Sequence, residues 1–368
     1  WKPGQETAEI EPNECLNVNQ TSLIDLASND YLSLSRHPDL IEAAQKVIAS
    51  DGVGAGASRL ITGTREIHIK LERSLAEWLG KERVFLFPSG FQANLAAVIA
   101  LANRHTIIVA DKMIHHSLLV GIKASGAKLS RYQHNNLHDL KSVLEKAKTS
   151  YPQSSLLVIT ESLFSMEGTS PDLEKIASIS EKYGAQILVD EAHALGIMGP
   201  KGKGLAHKIS DQITMISGTF GKAFGSGGAF LACNSQVGEH LLQNSGAFRY
   251  TTALAPSLAA SSLAALNLIK KNSNWGEQLL TQSSKWRQSL HQNGWGKPQG
   301  NAHILSLVTG SDKKAIALEK HLEDCGIATI AIRPPTVPEN SSRVRIIVRR
   351  NLPDKTLEKL LNALNQKK

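Results

Sequence analysis

The chain has 368 residues, of which 41% are apolar and 20% are charged, and this composition is that of a globular chain and excludes a disordered one. The length predicts two domains, or one large α/β domain with a smaller appendage. The formal net charge is +8, but no aromatic-plus-basic repeat accompanies it, so we interpret the densest basic cluster as a solvated or anion-facing surface rather than a nucleic-acid groove. That cluster comprises Arg343, Arg345, Arg349 and Arg350.

The chain begins with a predicted irregular N-terminal arm, residues 1–38, which contains the segment LASNDYLSL. Two helices are predicted next, over residues 39–50 and 65–80. The stretch between them, GVGAGASRLITGT, is predicted to be a flexible Gly-rich turn. It matches a loose dinucleotide-binding pattern, but the segment before it is helical and not a strand, so that interpretation fails.

Residues 84–234 alternate between apolar, β-branched strands and helices. Strands are predicted at 84–90, 105–111, 155–160, 186–190, 213–217 and 227–234, and helices at 91–103, 115–126 and 171–184. This order predicts a mostly parallel sheet covered by helices on both faces. In such sheets ligands bind at the carboxyl ends of the strands.

The pattern changes near Pro256, where long helices precede short strands. Helices are predicted at 257–271, 275–294, 313–326 and 354–366, and strands at 302–308, 327–332 and 343–349. We therefore predict a large domain over residues 39–256 and a smaller C-terminal α+β domain over residues 257–368.

Cysteine usage and the chain start give expectations about location. Cys15, Cys233 and Cys325 are far apart and form no CxxC pair, so we expect a reducing, cytoplasmic environment. No apolar run approaches a membrane span, and the polar, acidic start is unlike a signal peptide. Because the chain begins at Trp1 and not at Met, we expect further residues to precede it.

Lys222 lies in the glycine-rich stretch SGTFGKAFGSGGAF, residues 217–230. It is not part of a Walker A loop, because Ala223 stands where Ser or Thr is needed and Ile216 where Gly is needed. The segment DEAHALG, residues 190–196, resembles the acidic box of helicases, but no Walker A loop lies upstream, so a nucleic-acid-dependent NTPase is the disfavoured alternative. His134 and His138 are spaced like a metal pair, yet no third ligand follows, so a solvated helix start is favoured and no metal site is predicted.

Asp190, His193 and Lys222 form the strongest constellation. Asp190 ends one predicted strand and Lys222 follows the next, so both are expected at the carboxyl edge of the sheet. A carboxylate there can keep a pyridine nitrogen protonated, and a lysine can hold the ring's aldehyde as a Schiff base. The alternative is a structural ion pair at the sheet edge.

Over nearly its whole length the chain resembles the α-oxoamine synthases, which are pyridoxal-phosphate enzymes of fold type I. The motifs that carry the resemblance are NDYLSL (29–34), GASRLITGT (56–64), PSGFQANLA (88–96), DKMIHHSLL (111–119), TESLFSMEG (160–168), VDEAHALG (189–196), SGTFGKAFGSGG (217–228) and AIRPPTVP (331–338). The resemblance implies a fold-type I transferase whose large domain binds pyridoxal 5′-phosphate. It also implies a homodimer with its active sites at the interface.

The resemblance implies a role for each matching residue. Lys222 would hold the cofactor covalently, Asp190 would bind the pyridine nitrogen, and His193 the 3′-oxygen. His115 would stack on the open face of the ring. The other implied cofactor contacts are Gly90 and Phe91 through backbone N–H groups, Ser165 and Thr219 through hydroxyls, and Thr251 or Thr252 to the phosphate in the partner subunit. The implied substrate contacts are His115, Asn29, Thr336 and Arg333, which would bind the amino-acid carboxylate.

The AIRPPTVP segment favours the subgroup that condenses L-alanine with a pimeloyl thioester, of coenzyme A or an acyl carrier protein, with loss of CO2. The alternative is a sister enzyme that uses glycine and another acyl-CoA, such as 2-amino-3-ketobutyrate ligase. The sequence departs from the family in two places. The family's N-terminal helix, with its arginine near the acyl-donor entrance, has no match, and GAGASRL replaces the usual GSGGSRL.

Overall fold

The computed structural model of the chain describes residues 8–10, 15–18 and 21–367. These residues form two compact units. The terminal unit takes in the described residues of Trp1–Ser33 and Asn274–Lys368, together with Ser165–Thr169. The central unit comprises Leu34–Phe164 and Ser170–Ser273. The predicted domain boundaries after residues 38 and 256 stay predictions.

The central unit is built on a seven-stranded sheet with the order β4-β10-β9-β8-β7-β5-β6. Strand β10 runs antiparallel to both of its neighbours, and the other described pairs are parallel. The strands are β4 (Arg83–Phe87), β5 (Thr106–Asp111), β6 (Lys128–Tyr132), β7 (Ser155–Glu161), β8 (Gln186–Asp190), β9 (Met215–Thr219) and β10 (Ala229–Cys233). The predicted α/β class with a mostly parallel sheet is confirmed.

Helices flank this sheet. They are α1 (Pro38–Asp51), α2 (Glu66–Leu79), α3 (Gly90–Leu101), α4 (His116–Ser125), α5 (Leu137–Ser150), α6 (Leu173–Lys182), α7 (Ser235–Asn244), α8 (Gly246–Arg249) and α9 (Pro256–Lys271), with 3₁₀ turns at Pro200–Gly202 and Leu205–Gln212. Buried residues of β5, β7 and α3 form the core, and the alanines of α3 allow close packing against α4.

Several elements of the central unit were not predicted, among them β6, α7, α8 and, apart from its start near His138, α5. Strand β6 is a polar edge strand, KLSRY, with only its last residue buried, so it lacks the apolar signature of the inner strands. Helix α5 follows it, and Asn136 caps its N-terminus by accepting a hydrogen bond from the backbone N–H of Asp139. His138 lies in the first turn of α5, in agreement with the predicted helix start.

The terminal unit contains two small sheets. The first has the order β1-β2-β3-β12 and the second the order β11-β14-β13. The strands are β1 (Ala8–Ile10), β2 (Cys15–Val18), β3 (Thr21–Asp25), β11 (Ile304–Gly310), β12 (Ile327–Ala328), β13 (Ile330–Ile332) and β14 (Ser342–Ile347), and the helices are α10 (Trp275–Gln292), α11 (Asp312–Asp324) and α12 (Thr356–Asn365). The arm predicted to be irregular therefore contributes three strands to a sheet.

The interpretation of the basic cluster as a charged surface is wrong for three of its four arginines, since Arg350 is only half-buried. Strand β14 is central in its sheet, and Arg343, Arg345 and Arg349 are all buried. Arg343 pairs with Glu167 at 3.2 Å, and Arg349 donates to the backbone oxygen of Asp25 at 2.8 Å. Arg343 and Arg349 contact acids and backbone oxygens far away in sequence, so local charge counting could not predict their burial.

No helix within the described residues combines the length and apolarity that membrane crossing requires.

Candidate active site

A cavity of about 220 Å³ opens at the carboxyl edge of the central sheet, where β7, β8 and β9 end. Its lining residues are Gly90, Phe91, Asn94, His115, Glu161, Asp190, Ala192, His193, Ser217, Gly218, Thr219 and Lys222. Two larger cavities, of about 350 and 700 Å³, lie elsewhere on the central unit, and neither is lined by a lysine. Of these three cavities, the smallest brings a lysine together with two histidines and two carboxyl groups.

Lys222 lies in the loop after β9. Its Nζ is 2.8 Å from Nε2 of His193, which is buried in the turn after β8.

The conformation of the loop that carries Lys222 depends on glycines with positive φ. At Gly225, φ is 58°, and a Cβ there would lie 2.3 Å from the backbone nitrogen of Ser35. Gly228 has φ 93°. A side chain at either position would force the loop apart and move Lys222.

Asp190 is the last residue of β8 and is buried. Its Oδ1 accepts a hydrogen bond from the backbone N–H of Ala192 at 2.9 Å. Its Oδ2 accepts one from Nδ2 of Asn94 at 2.7 Å. Two donors fix the carboxylate, so one edge of the cavity carries an acceptor of defined orientation.

Glu161 stands beside Asp190 because the last residues of β7 and β8 are paired in register. Both carboxyl groups are buried. Burial, and then the negative charge of Asp190, raise the pKa of Glu161 well above its usual range, while Lys222 opposes this. One carboxyl group of the pair is thus favoured in its protonated form.

His115 is the N-cap of α4 and is held through both its backbone and its ring. The backbone N–H donates to Oε1 of Glu161 at 2.5 Å, and Nδ1 lies 2.7 Å from Oγ of Ser117. Burial is the largest cause that lowers the pKa of His115, Lys222 adds to it, and Asp190 opposes it. The imidazole is therefore favoured in its neutral form.

Gly90 and Phe91 form the first turn of α3 at the cavity wall. Ser89 caps this helix by accepting a hydrogen bond from the N–H of Gln92 at 3.2 Å. The first N–H groups of a helix lack intrahelical acceptors, and the helix dipole favours an anion there. Thr219 lines the same wall, and its hydroxyl donates to the backbone oxygen of Gly228 at 3.1 Å.

Seven of the predicted site residues thus converge on one cavity: Lys222, Asp190, His193, His115, Gly90, Phe91 and Thr219. Thr251 and Thr252 are not among its lining residues; Thr252 forms a bridge with Ser58. This is compatible with their predicted contact to a partner subunit, which stays a prediction.

The remaining predicted residues lie in the terminal unit. Oδ1 of Asn29 accepts from Nη2 of Arg345 at 2.8 Å and from the hydroxyl of Tyr31 at 3.2 Å. Arg333 and Thr336 are exposed, and the backbone N–H of Thr336 donates to the oxygen of Arg333 at 3.0 Å. The backbone oxygen of Ser165 accepts from Arg345 at 3.4 Å. The predicted roles of these residues also stay predictions.

Sequence reasoning missed Asn94, Ser117 and Glu161. Glu161 ends an apolar strand as Asp190 does, and that signal would have found it. Asn94 and Ser117 are buried polar residues inside helices, and only the fold shows that they meet. His134, one of the two histidines spaced like a metal pair, has its Nδ1 3.0 Å from Oδ1 of Asp111. No group of three or more potential metal ligands occurs in the part of the chain that the structure describes.

Comparison with known proteins is consistent with this geometry. Residues 21–364 match the family described as aminotransferase class I and II. A Bacillus cereus protein named "Putative 8-amino-7-oxononanoate synthase" is 40% identical over 329 residues, which are 89% of this chain and 82% of the relative.

Solved structures agree at the level of the fold. The serine palmitoyltransferase of Sphingomonas wittichii superposes with a TM-score of 0.94 at 26% identity, covering 100% of this chain and 92% of that one. The 8-amino-7-oxononanoate synthase of Francisella tularensis superposes with a TM-score of 0.79 at 28% identity, covering 93% and 96%. The resemblance to fold-type I α-oxoamine synthases is thereby confirmed.

Proposed function

Because the chain belongs to the aminotransferase class I and II family, we propose that it is an 8-amino-7-oxononanoate synthase, which joins L-alanine to a pimeloyl thioester in biotin synthesis. The chain is a pyridoxal-phosphate-dependent, acyl-transferring enzyme of the α-oxoamine synthase type. One observation carries the finer proposal: a lysine, a carboxylate and two histidines line one cavity in a chain about 40% identical to relatives of that name.

The residues of the cavity fit pyridoxal phosphate. A primary amine at Lys222 suits an aldehyde, and the fixed carboxylate of Asp190 suits a pyridinium nitrogen. The start of α3, with Gly90 and Phe91, suits a phosphate group. His193, already in contact with the Lys222 amine, is placed in this proposal at the ring's 3′-oxygen.

When bound, the cofactor supplies an electron sink for the negative charge that develops on the α-carbon of the amino acid. The protein side chains supply the remaining functions. Asp190 keeps the pyridine nitrogen protonated, since a buried anion favours the cationic form. Nζ of Lys222, once free, takes the α-proton of alanine.

Two further residues act on substrate groups in this proposal. Arg333 binds the alanine carboxylate with its planar, two-pronged guanidinium. His115 donates a hydrogen bond to an oxygen that becomes negatively charged as the thioester carbonyl is attacked. The thioester sulfur leaves with its carrier, the condensed acid loses CO2, and Lys222 returns a proton to carbon.

A homodimer is the proposed assembly. Val53 and Ile61 are each 75% exposed and Tyr250 is 80% exposed. The bridge between Ser58 and Thr252 ties the segments that carry these side chains together. An exposed apolar surface of this kind is typical of an interface, and Thr251 or Thr252 would then reach the phosphate of the partner subunit.

Three free cysteines are the basis for proposing a cytoplasmic location.

Substrate turnover tests the proposal. The purified chain, loaded with pyridoxal phosphate, is given L-alanine with pimeloyl-CoA or with a pimeloyl acyl carrier protein, and 8-amino-7-oxononanoate is quantified by mass spectrometry. Release of CO2 from carboxyl-labelled alanine provides a second readout. If glycine with acetyl-CoA gives the higher kcat/KM, the proposal fails in favour of 2-amino-3-ketobutyrate ligase activity.

A second candidate is serine palmitoyltransferase activity. The observation that favours it is the TM-score of 0.94 to the Sphingomonas wittichii enzyme over the full length of this chain. The lower sequence identity of 26%, against 40% for the Bacillus cereus relative, makes it the second choice. L-serine with palmitoyl-CoA belongs in the same assay panel.

A further inference from the structure

The candidate site contains a hydrogen-bonded chain of side chains that the mechanism above does not use. It runs from Asp190 through Asn94 and Ser117 to the ring of His115. Asn94 is 3% exposed and Ser117 is fully buried. Both residues lie in helices, α3 and α4, whose other inward-facing residues are apolar. A buried, hydrogen-bonded polar pair in an otherwise apolar core indicates a role in the neighbouring site.

The amide of Asn94 has a single satisfactory orientation. Its Nδ2 donates one hydrogen to Oδ2 of Asp190 at 2.7 Å and the other to Oγ of Ser117 at 2.9 Å. Turning the amide over would direct its oxygen at the Asp190 carboxylate, where two acceptors would repel. The orientation is kept even though Oδ1 of Asn94 is buried without a hydrogen-bond partner among the described residues.

The direction of the next hydrogen bond follows from this orientation. Because Oγ of Ser117 accepts from Asn94, the serine's own hydrogen is free for Nδ1 of His115, 2.7 Å away. The backbone N–H of Ser117 points to the same nitrogen at 3.3 Å. Two donors directed at Nδ1 require a lone pair there, so the ring proton resides on Nε2.

We propose that Ser117 and Asn94 are positioning residues that hold His115 as a neutral imidazole protonated at Nε2, with the carboxylate of Asp190 as their anchor. This inference rests on the roles proposed above for His115 and Asp190. It extends those roles, because Asp190, which binds the pyridine nitrogen, and His115, which stacks on the ring, then belong to one hydrogen-bond network. Nε2 is left as the ring nitrogen that can donate to substrate.

The charged surroundings of His115 act in the same direction. Lys222 and His116 oppose a positive charge on the ring, and Asp190 favours one. Glu161 faces the residue through its hydrogen bond to the His115 backbone N–H. With burial as the largest influence, the pKa of His115 is lowered. The network fixes the tautomer that this neutral ring adopts.

Nitrogen-15 NMR of the full-length, cofactor-loaded protein with labelled histidine tests the inference directly. The His115 signal is identified by its loss in His115→Gln. In the wild type at neutral pH, we expect Nδ1 to show the shift of an unprotonated nitrogen and Nε2 that of a protonated one. In Ser117→Ala, the two nitrogens should move toward a mixture of tautomers, and the pKa of His115 should rise.

Asn94→Leu, which keeps the side-chain size without the amide, should change the tautomer in the same direction. Ser262→Ala is the matched control. Ser262 is also fully buried in the central unit, but its hydroxyl donates to the backbone oxygen of Leu258, at 2.8 Å, so its removal should leave the His115 spectrum unchanged. For Ser117→Ala we expect kcat to fall about tenfold with pyridoxal-phosphate affinity unchanged, and the acid limb of the kcat profile to move to higher pH.

A wild-type His115 that is protonated at Nδ1, or doubly protonated at neutral pH, overturns the inference by itself. An unchanged tautomer in Ser117→Ala overturns it as well. The NMR readout does not depend on substrate. If the tautomer is as expected but alanine and pimeloyl-CoA are not consumed, the proposed function fails and the positioning network stands.

Discussion

The amine of Lys222 and the ring of His193 are in contact, with 2.8 Å between Nζ and Nε2. Both residues follow buried strands of the same parallel sheet, and their loops meet at its carboxyl edge. The contact is consistent with Lys222 lying at the centre of the site rather than in a surface loop. It also leads to a direct chemical test.

Borohydride treatment of the cofactor-loaded protein should leave a pyridoxyl group on Lys222 alone, because its amine is the one that lines the cavity. Lys222→Ala should bind pyridoxal phosphate only noncovalently and lose about 10³-fold or more in turnover. Peptide mass spectrometry locates the modified residue. Lys81→Ala is a control, since Lys81 is engaged by the backbone oxygens of Ser210 and Ile213. Modification of a different lysine would disprove the assignment.

Asp190→Asn should keep the fold and still bind the cofactor. The α-hydrogen of bound alanine, however, should become less acidic. The amide still offers one acceptor to the donors that now hold the carboxylate, Asn94 and the backbone of Ala192. Without the negative charge, the pyridine nitrogen is no longer kept protonated. Exchange of the alanine α-hydrogen in deuterium oxide, followed by NMR, should slow by roughly 10²-fold. Exchange at the wild-type rate would contradict the role of Asp190.

Arg333→Ala should raise the KM for alanine roughly 30-fold, because a charge-assisted hydrogen bond contributes about 2 kcal/mol. Arg333 is exposed, and the structure gives its guanidinium no carboxylate partner within the described residues. Pyridoxal-phosphate affinity should stay unchanged. Arg333→Lys is the matched variant: it keeps the charge but loses the two-pronged geometry, so it should recover only part of the affinity. An unaltered KM in both variants would remove Arg333 from the alanine site.

The sequence predicted the parts of the site that follow directly from strand ends. Asp190 and Lys222 each come after a short apolar strand, and parallel strands bring such residues to one edge. The alternation of strands and helices does not reveal the residues that hold the side chains of the site in place. Asn94 and Ser117 approach each other across α3 and α4, whose packing is a tertiary property.

The errors in the fold have the same origin. Strand β6 is polar because it lies at the sheet edge, and its position there depends on pairing with β5. The buried arginines of β14 depend on Glu167 and on the Asp25 backbone, both distant in sequence. A single sequence records the polarity of these residues but not the partners that determine whether they are buried.

The chain should form a dimer that depends on its exposed apolar side chains. Tyr250→Glu places a charge where an aromatic ring is 80% exposed, so association should weaken by the cost of desolvating that charge. Sedimentation velocity measures the dimer fraction, and activity should fall with it. Tyr151→Glu is a control, because Tyr151 is an exposed aromatic residue at the end of α5. A monomeric wild type with full activity would contradict the proposed interface.

Glu191 should make the stability of the protein depend on pH. It is buried, its Oε2 accepts from Oγ of Ser162 at 2.6 Å, and its Oε1 accepts from the backbone N–H of Ala206 at 2.5 Å. A Cβ added at Gly204 would lie 2.6 Å from its carboxyl carbon, so the backbone of Gly204 packs closely against this carboxyl group. Burial raises its pKa from 4.5 to about 7, although both hydrogen bonds oppose the rise.

The sign of the effect follows from proton binding. Between pH 4.5 and 7 the folded state binds the Glu191 proton and the unfolded state does not, so stability falls as pH rises through this range. A shift of this size corresponds to a loss of about 3 kcal/mol once pH exceeds 7. Glu191→Gln keeps an oxygen for Ala206 and carries no charge, so its free energy of unfolding should fall less between pH 5 and 8. Urea unfolding at several pH values measures the difference. Exposed Glu174→Gln should retain the wild-type slope, and an equally steep slope in Glu191→Gln would show that another group titrates.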